Sequence, residues 1–328
     1  MKKEQSEKLS VYDTVIATDL IKKYFEKQLC TRVSLTLVAA PLFISTDKGI
    51  QDKLSGTEKA VSFIAEDTTF EIVHSLAKWK RIALKKYEFK ESTGIITDMI
   101  AIRKDDKIDL LHSHLVDQWD WEKIIKRETR TIETLKSTVT SIYKAIRQTS
   151  IYIKKIYPHL SLKLAKTVHF ITSQELEDLY PSDTPERREY LITKKYGSVF
   201  IIGIGDKLKS GVPHDSRSPD YDDWSLDGDM LIFDDTIGRP LEITSMGIRV
   251  DKETLLSQLE KSGSMDRVEC EYHQMIIKEE LPLTIGGGIG KSRLCMLLLE
   301  KRHIAQVQAS YWSSKTISDC EKDGIVIL

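Results

Sequence analysis

Cysteine is scarce in this chain: Cys30, Cys270, Cys295 and Cys320 are the four among 328 residues, and no two of them stand in C-x-x-C spacing. Scattered thiols exclude a disulfide framework and a zinc site, and they fit a reducing compartment. Long apolar runs are also missing. The uncharged stretch from Tyr196 to Gly205 is far too short to span a bilayer. The N-terminal MKKEQSEKLS lacks the apolar centre of a secretory signal and carries acids that a mitochondrial presequence avoids. There is no surplus of basic charge either. With 49 Lys and Arg against 50 Asp and Glu, the net charge of -1 excludes a broad nucleic-acid footprint but allows a local cationic pocket. Neither an internal repeat nor a low-complexity linker is visible. The expectation is a cytoplasmic protein with no membrane or nucleic-acid partner. Its 41% hydrophobic and 30% charged residues are those of a globular protein able to bury a large core.

What is present reads as alternating helices and strands. Val15, Leu20, Phe25 and Leu29 fall at helical spacing within Val11 to Leu29, and Arg32 to Val38 alternates like a strand ending near Pro41. A polar loop from Thr46 to Ala60 follows, then a short strand and a helix that Ser75 is placed to cap. Gly94 to Arg103 reads as a strand ending on an arginine. In His112 to Glu122 the alternation puts Trp119 and Trp121 on one face and Gln118, Asp120 and Glu122 on the other, which is either solvated or lines a polar pocket. Lys123 to about Tyr157 reads as one long amphipathic helix. Next come a strand near Val168, a helix capped by Ser173, a helix opening at Pro185 and a buried strand from Ser198.

Gly205 to Leu226 is irregular and acidic and holds Arg217 and His214; strands from Asp229 and Leu241 follow it. Asp251 then caps a helix, and another covers about Asp266 to Glu279. Hairpin-linked strands with helices alongside indicate an α+β fold with a mostly antiparallel sheet. The stretch TIGGGIGKSRLCMLLLE, Thr284 to Glu300, reads as a glycine turn feeding a buried helix with Arg293 in its first turn. Its glycine spacing is neither that of a Walker loop nor that of a dinucleotide fingerprint, so tight packing and contact with an anionic ligand both stay open.

The pattern Gly286-x-Gly288-x-Gly290-x-x-Arg293 followed by LCMLLL resembles motif 3 of class II aminoacyl-tRNA synthetases. Arg103 after its strand resembles their motif 2 arginine, and the helix, strand and Pro41 resemble motif 1. QDKLSGTEKAV, VHSLAKWKR, HSHLVDQWDWE, PDYDDWS, SMGIRVD and TIGGGIGKSRLCMLLL together resemble the ammonia-dependent asparagine synthetases over essentially the whole chain. That resemblance implies a class II synthetase-like catalytic domain over residues 1–328, without an anticodon-binding module, in a homodimer.

It also implies a reaction. The β-carboxylate of L-aspartate attacks the α-phosphorus of ATP, pyrophosphate leaves, and ammonia displaces AMP from the β-aspartyl adenylate. Phosphoryl chemistry needs fixed cations and Mg2+. By the resemblance, Arg103 holds the α-phosphate, Arg293 the β/γ end, and Asp229 with Glu242 the metal and ribose side, with Ser113, Gly288 and Gly290 completing the ATP site. Ser75, Lys80, Gln118, Asp120 and Arg249 fall in the amino-acid pocket. Arg249 is assigned to the α-carboxylate, Asp120 with Asp52 to the ammonium, and Lys80 to the β-carboxylate. Asp222 is assigned to ammonium before it attacks. Two readings compete: a synthetase-like paralogue charging tRNA or another acceptor, and a non-catalytic adenylate-binding regulator. Two departures from the pattern stand out. Only Ser225, Leu226 and Asp227 separate Trp224 from Gly228, and Lys291 stands beside the glycines, where it either adds charge near the triphosphate or faces solvent.

Overall fold

A computed structural model describes residues 9–52 and 59–328. Residues 53–58, part of the polar loop read from the sequence, lie outside the described residues. Helix α1 (Val11–Val33) is capped by Ser10, whose side chain accepts from the Asp13 amide, and it leads into β1 (Leu35–Leu37). Strands β2 (Phe43–Ser45), β3 (Ser62–Ala65) and β4 (Thr68–Ile72) form a small antiparallel sheet in the order β2-β4-β3. Then come α2 (Ala77–Lys86), β5 (Gly94–Ile102), β6 (Leu115–Ile124) and α3 (Ile132–Ile156). They are followed by β7 (His169–Thr172), α4 (Ser173–Leu179), α5 (Pro185–Tyr196), β8 (Ser198–Ile202), β9 (Asp222–Asp234) and β10 (Arg239–Arg249). The chain continues through α6 (Lys252–Lys261), α7 (Glu271–Ile277), β11 (Thr284–Gly290), α8 (Lys291–Leu298) and α9 (Ser314–Lys322).

The large sheet runs β1-β5-β6-β11-β10-β9-β8-β7. Its two outermost pairs, β1 with β5 and β7 with β8, are parallel, and the interior pairs are antiparallel. This is the mixed, mostly antiparallel sheet with flanking helices that the sequence predicts. Its apolar face carries Trp119, Trp121, Met230, Ile248 and Ile289, which pack with the buried stripes of α1, α3 and α8. Phe25 of α1 lies 4.6 Å from the Trp119 ring. No helix among the described residues is long and apolar enough to cross a membrane.

Several boundaries differ from the sequence reading. β6 keeps pairing as far as Ile124, so α3 starts only at Ile132, and Thr131 caps it. Thr172, not Ser173, caps α4, in a reciprocal pair with Glu175. Leu76, not Ser75, holds the N-cap position of α2; the Ser75 hydroxyl accepts from the Ala77 amide at 3.3 Å and donates to Asp52. The expected 266–279 helix is a 3-10 turn, Met265–Glu269, followed by α7. The glycine stretch is not a turn. It is a strand at the centre of the sheet, bonded on both sides by β6 and β10.

Candidate active site

The second face of the sheet is polar where β6, β11, β10 and β9 meet, and it holds a cleft of about 390 Å3, within the usual range for small-molecule sites. Strand β6 supplies Gln118 and Asp120 to it because period-2 alternation sends the neighbouring tryptophans to the core. Glycine is required opposite them. A Cβ on Gly286 would lie 2.0 Å from Glu122 Oε2, and one on Gly288 would lie 2.4 Å from Gln118 Oε1. The glycines let polar side chains of β6 lie across β11 while Gly288 and Gly290 line the cleft.

Five buried charges form a chain beside these glycines. Asp222 bonds Arg249, whose Nη2 and Nε donate to Glu122 at 2.8 and 3.0 Å. Lys80 Nζ lies 3.5 Å from Glu122, donates to the Trp121 carbonyl at 2.9 Å and pairs with Asp120. All five side chains are at most 5% exposed. Burial works against every charge here, but Arg249 and Lys80 hold the Glu122 carboxyl below its ordinary range. Burial likewise lowers Arg249, yet Glu122 and Asp222 more than offset it and keep the guanidinium charged. For Asp222 burial prevails and its carboxyl is pushed up. Three carboxylates against two cations leave this part of the cleft short of positive charge, as an ammonium ligand requires.

Ser75 lines the cleft above Asp52, donating to it at 2.5 Å; the Ala77 amide donates to the same oxygen at 2.9 Å. Asp52 is fully buried, its other oxygen has no hydrogen-bond partner among the described residues, and burial raises its carboxyl to about 6.

A second set of charges is cationic. Arg103 donates to the His74 carbonyl at 3.2 Å, its Nε is buried without a hydrogen-bond partner among the described residues, and burial together with nearby Arg293 lowers its pKa. Arg293, in the first turn of α8, donates to the Glu242 carbonyl at 3.1 Å and to His112 Nε2 at 2.8 Å. His112 Nδ1 in turn donates to Asp109 at 2.8 Å. Two guanidiniums close enough to repel each other, one with an unmatched N–H, are suited to a polyanion. Ser113 lines the same cleft and donates to Leu115 O at 2.7 Å and to Gln308.

The family model described as aspartate-ammonia ligase matches residues 12–324. The chain belongs to the aspartate–ammonia ligase family. It is 51% identical over 323 residues to the aspartate–ammonia ligase of Clostridium perfringens (strain SM101 / Type A), covering 98% of this chain and 96% of that one. It is 48% identical over 329 residues to that of Clostridium tetani (strain Massachusetts / E88), covering 99% and 96%. Among solved structures it superposes on Entamoeba histolytica asparaginyl-tRNA synthetase in complex with asparaginyl-adenylate, with a TM-score of 0.62 at 16% identity, over 91% of this chain and 66% of that one. It superposes on the Pyrococcus horikoshii asparaginyl-tRNA synthetase complexed with asparaginyl-adenylate with a TM-score of 0.63 at 15% identity, over 89% and 68%. These likenesses show the fold: the catalytic architecture of class II synthetases, on about two thirds of their length.

In this member of the aspartate–ammonia ligase family, Ser75, Arg103, Ser113, Gln118, Asp120, Asp222, Glu242, Arg249, Gly288, Gly290 and Arg293 share the one cleft. Three residues assigned to ligands do not line it. Lys80, expected beside a substrate carboxylate, is wholly buried behind Asp120 and Glu122. Asp52 sits beneath Ser75. Asp229 lies under Arg217, which donates to it at 2.8 Å. Asp222 is not in the irregular loop but opens β9. Lys291 neither faces solvent nor adds charge to the cleft: it pairs with Asp98, stands 5.4 Å from the Trp119 ring, and burial lowers it to about 8.

The sequence reading left three participants unassigned. Glu122 was grouped with the polar face of β6 but given no role. Arg217, the one arginine of the acidic loop, bridges Asp227, Asp229 and Ser245 at the cleft, and Tyr221 lines it. A single arginine in a loop with five aspartates was the available signal for Arg217.

Proposed function

We propose that the chain makes L-asparagine from L-aspartate, ATP and ammonia through a β-aspartyl adenylate. The observation that carries this reading is one cleft with two opposite characters: a buried chain of three carboxylates and two cations, and the guanidiniums Arg103 and Arg293. Aspartate carries an ammonium and two carboxylates. Asp120 accepts from the α-ammonium, with Asp52 acting through Ser75. Arg249, fixed by Glu122 through Nε and Nη2 and by Asp222 through Nη1, is assigned to the α-carboxylate through the Nη N–H groups those contacts leave. Lys80 fixes Asp120 from behind, and Gln118 orients the substrate from across Gly288.

Arg103 is assigned to the α-phosphate and Arg293 to the β/γ end. A β-carboxylate oxygen then bonds to the α-phosphorus as the bond to pyrophosphate breaks, and positioning supplies most of the catalysis. Ammonia adds to the β-carbonyl carbon, the bond to AMP breaks, and the nitrogen loses its extra proton. Asp222, its carboxyl raised by burial, is the group assigned to hold ammonium and take one proton from it before attack; the proton lost after attack passes to solvent.

Among the described residues no three His, Cys, Asp or Glu side chains converge on a metal. Glu242, which lines the cleft with its side chain 44% exposed, would suit a Mg2+ that arrives on the nucleotide; Asp229 stands behind it. Such an ion would neutralise charge on the leaving pyrophosphate. We further assign residues 1–328 to a single catalytic unit acting as a cytoplasmic homodimer.

The test is to incubate the protein with aspartate, Mg-ATP and either ammonium or tRNA. Asparagine, AMP and pyrophosphate should appear in equal amounts with ammonium. Aspartyl-tRNA without asparagine, or ADP in place of AMP, would overturn the reading.

A further inference from the structure

Arg249 and Asp222 face each other across an interrupted ladder. Between the rungs Gly247 to Asp227 and Arg249 to Asp222, β10 advances two residues and β9 five, so Asp223 to Leu226 bulge out of register. The ladder alone therefore does not fix where Asp222 stands. Two further contacts bear on that position. Gly247 leaves room for it, since a Cβ there would lie 2.8 Å from Asp222 Oδ1. Gln258 of α6 donates to the Asp222 carbonyl at 2.9 Å.

The base of the bulge is gripped from outside the cleft by Arg130, two residues ahead of α3. Its Nη2 donates to Asp223 Oδ2 at 2.5 Å, to the Arg249 carbonyl at 3.4 Å and to Thr254 Oγ1 at 3.2 Å, and its Nε lies 3.5 Å from Asp251. Asp251 and Thr254 are the reciprocal cap of α6, so one guanidinium joins the start of β9, the end of β10 and a helix terminus. Asp223 is 4% exposed and holds the bulge on its other oxygen, accepting from the Ser225 amide and hydroxyl at 2.9 and 2.7 Å. Neither Arg130 nor Asp223 lines the cleft.

We propose that Arg130 is a positioning residue for the aspartate pocket: by clamping Asp223 and the Arg249 backbone across the bulge, it sets the Asp222–Arg249 pair that receives the amino acid. The inference rests on the assignment of Arg249 to the aspartate α-carboxylate. The four out-of-register residues, 223–226, would otherwise let that pair drift, and a drift near 1 Å is enough to cost a large factor in a positioned site.

The experiment compares Arg130→Lys, Arg130→Met, Asp223→Asn and Arg249→Lys in steady-state assays with aspartate, ATP and ammonium varied in turn, beside thermal melts. Arg130→Met should raise the aspartate KM roughly tenfold or more while the ATP KM changes less than about twofold. Asp223→Asn, which keeps the Ser225 contacts on Oδ1 but replaces the Oδ2 that accepts from Arg130 by an amide N–H, should shift the aspartate KM in the same direction. Arg130→Lys should recover part of the loss, since a lysine keeps charge but not the fork. A merely structural role predicts a lower melting temperature and less active enzyme at unchanged KM, and that result in Asp223→Asn would overturn the proposal. Aspartate KM raised in Arg249→Lys but not in the Arg130 or Asp223 variants would overturn this inference alone. An unchanged aspartate KM in Arg249→Lys would instead overturn the pocket assignment beneath it.

Discussion

Arg293 leaves the first turn of α8 with a side chain 23% exposed, held by a carbonyl and an imidazole and with its nearest carboxylate oxygen 3.7 Å away. Those are contacts that a phosphate oxygen replaces at little cost, unlike the buried ion-pair network around Arg249. Arg293→Ala is therefore expected to lower aspartate-dependent ATP–pyrophosphate exchange by about a hundredfold or more, with stability changed by no more than about 0.5–1 kcal/mol. Exchange close to the unaltered rate would remove Arg293 from the nucleotide site. Its place in a helix first turn was legible beforehand, because the glycines and the apolar run fix that boundary locally. The burial of Lys80 was not. Its partners lie 40 and 42 positions away, and nothing in HSLAKWKR distinguishes a solvated lysine from one sealed beneath two acids.

Strand β11 shows how an element can be misread. Four glycines in seven residues carry no side-chain period, so a turn was the natural reading. Only Ile285 and Ile289, four apart and both fully buried, mark one face of a strand. The glycines are needed for what crosses them, and the two positions differ in what a methyl group would meet. At Gly288 it strikes the far end of the Gln118 side chain, which can move aside. At Gly286 it also meets the Trp121 carbonyl at 2.6 Å, which cannot. Gly288→Ala should stay folded and raise the aspartate KM by about tenfold by displacing Gln118, whereas Gly286→Ala should lose at least about 3 kcal/mol of stability. Denaturant melts and KM measurements on the pair check this, and equal stability of the two variants would count against the argument. Strand β6, in contrast, was legible from its alternation alone, since period 2 is a local property that burial on one face only reinforces.

At the scale of the whole molecule, α1 leaves Val11, Tyr12, Val15 and Ile16 between 41% and 75% exposed, an apolar strip that the described residues of one protomer do not cover. The homodimer proposed above would bury it. Light scattering should give a mass about twice 37.6 kDa. Tyr12→Glu together with Val15→Glu should shift it toward the single-chain value, because an interface core does not accommodate unpaired carboxylates. A monomer before substitution would end that proposal.

Local chemistry in the sequence determined much of this protein: the Asp251 cap of α6, Pro185 at the start of α5, the two faces of β6, the mixed α+β architecture and the family. Each depends on neighbours a few positions apart, or on motifs long enough to be specific. Tertiary structure alone decided which polar residues face the cleft and which stand behind it. Arg249 meets Glu122 across 127 positions and Arg130 meets Asp223 across 93. A charge becomes a ligand or a support according to what buries and pairs it, and those partners are brought together only by the assembled sheet and its helices.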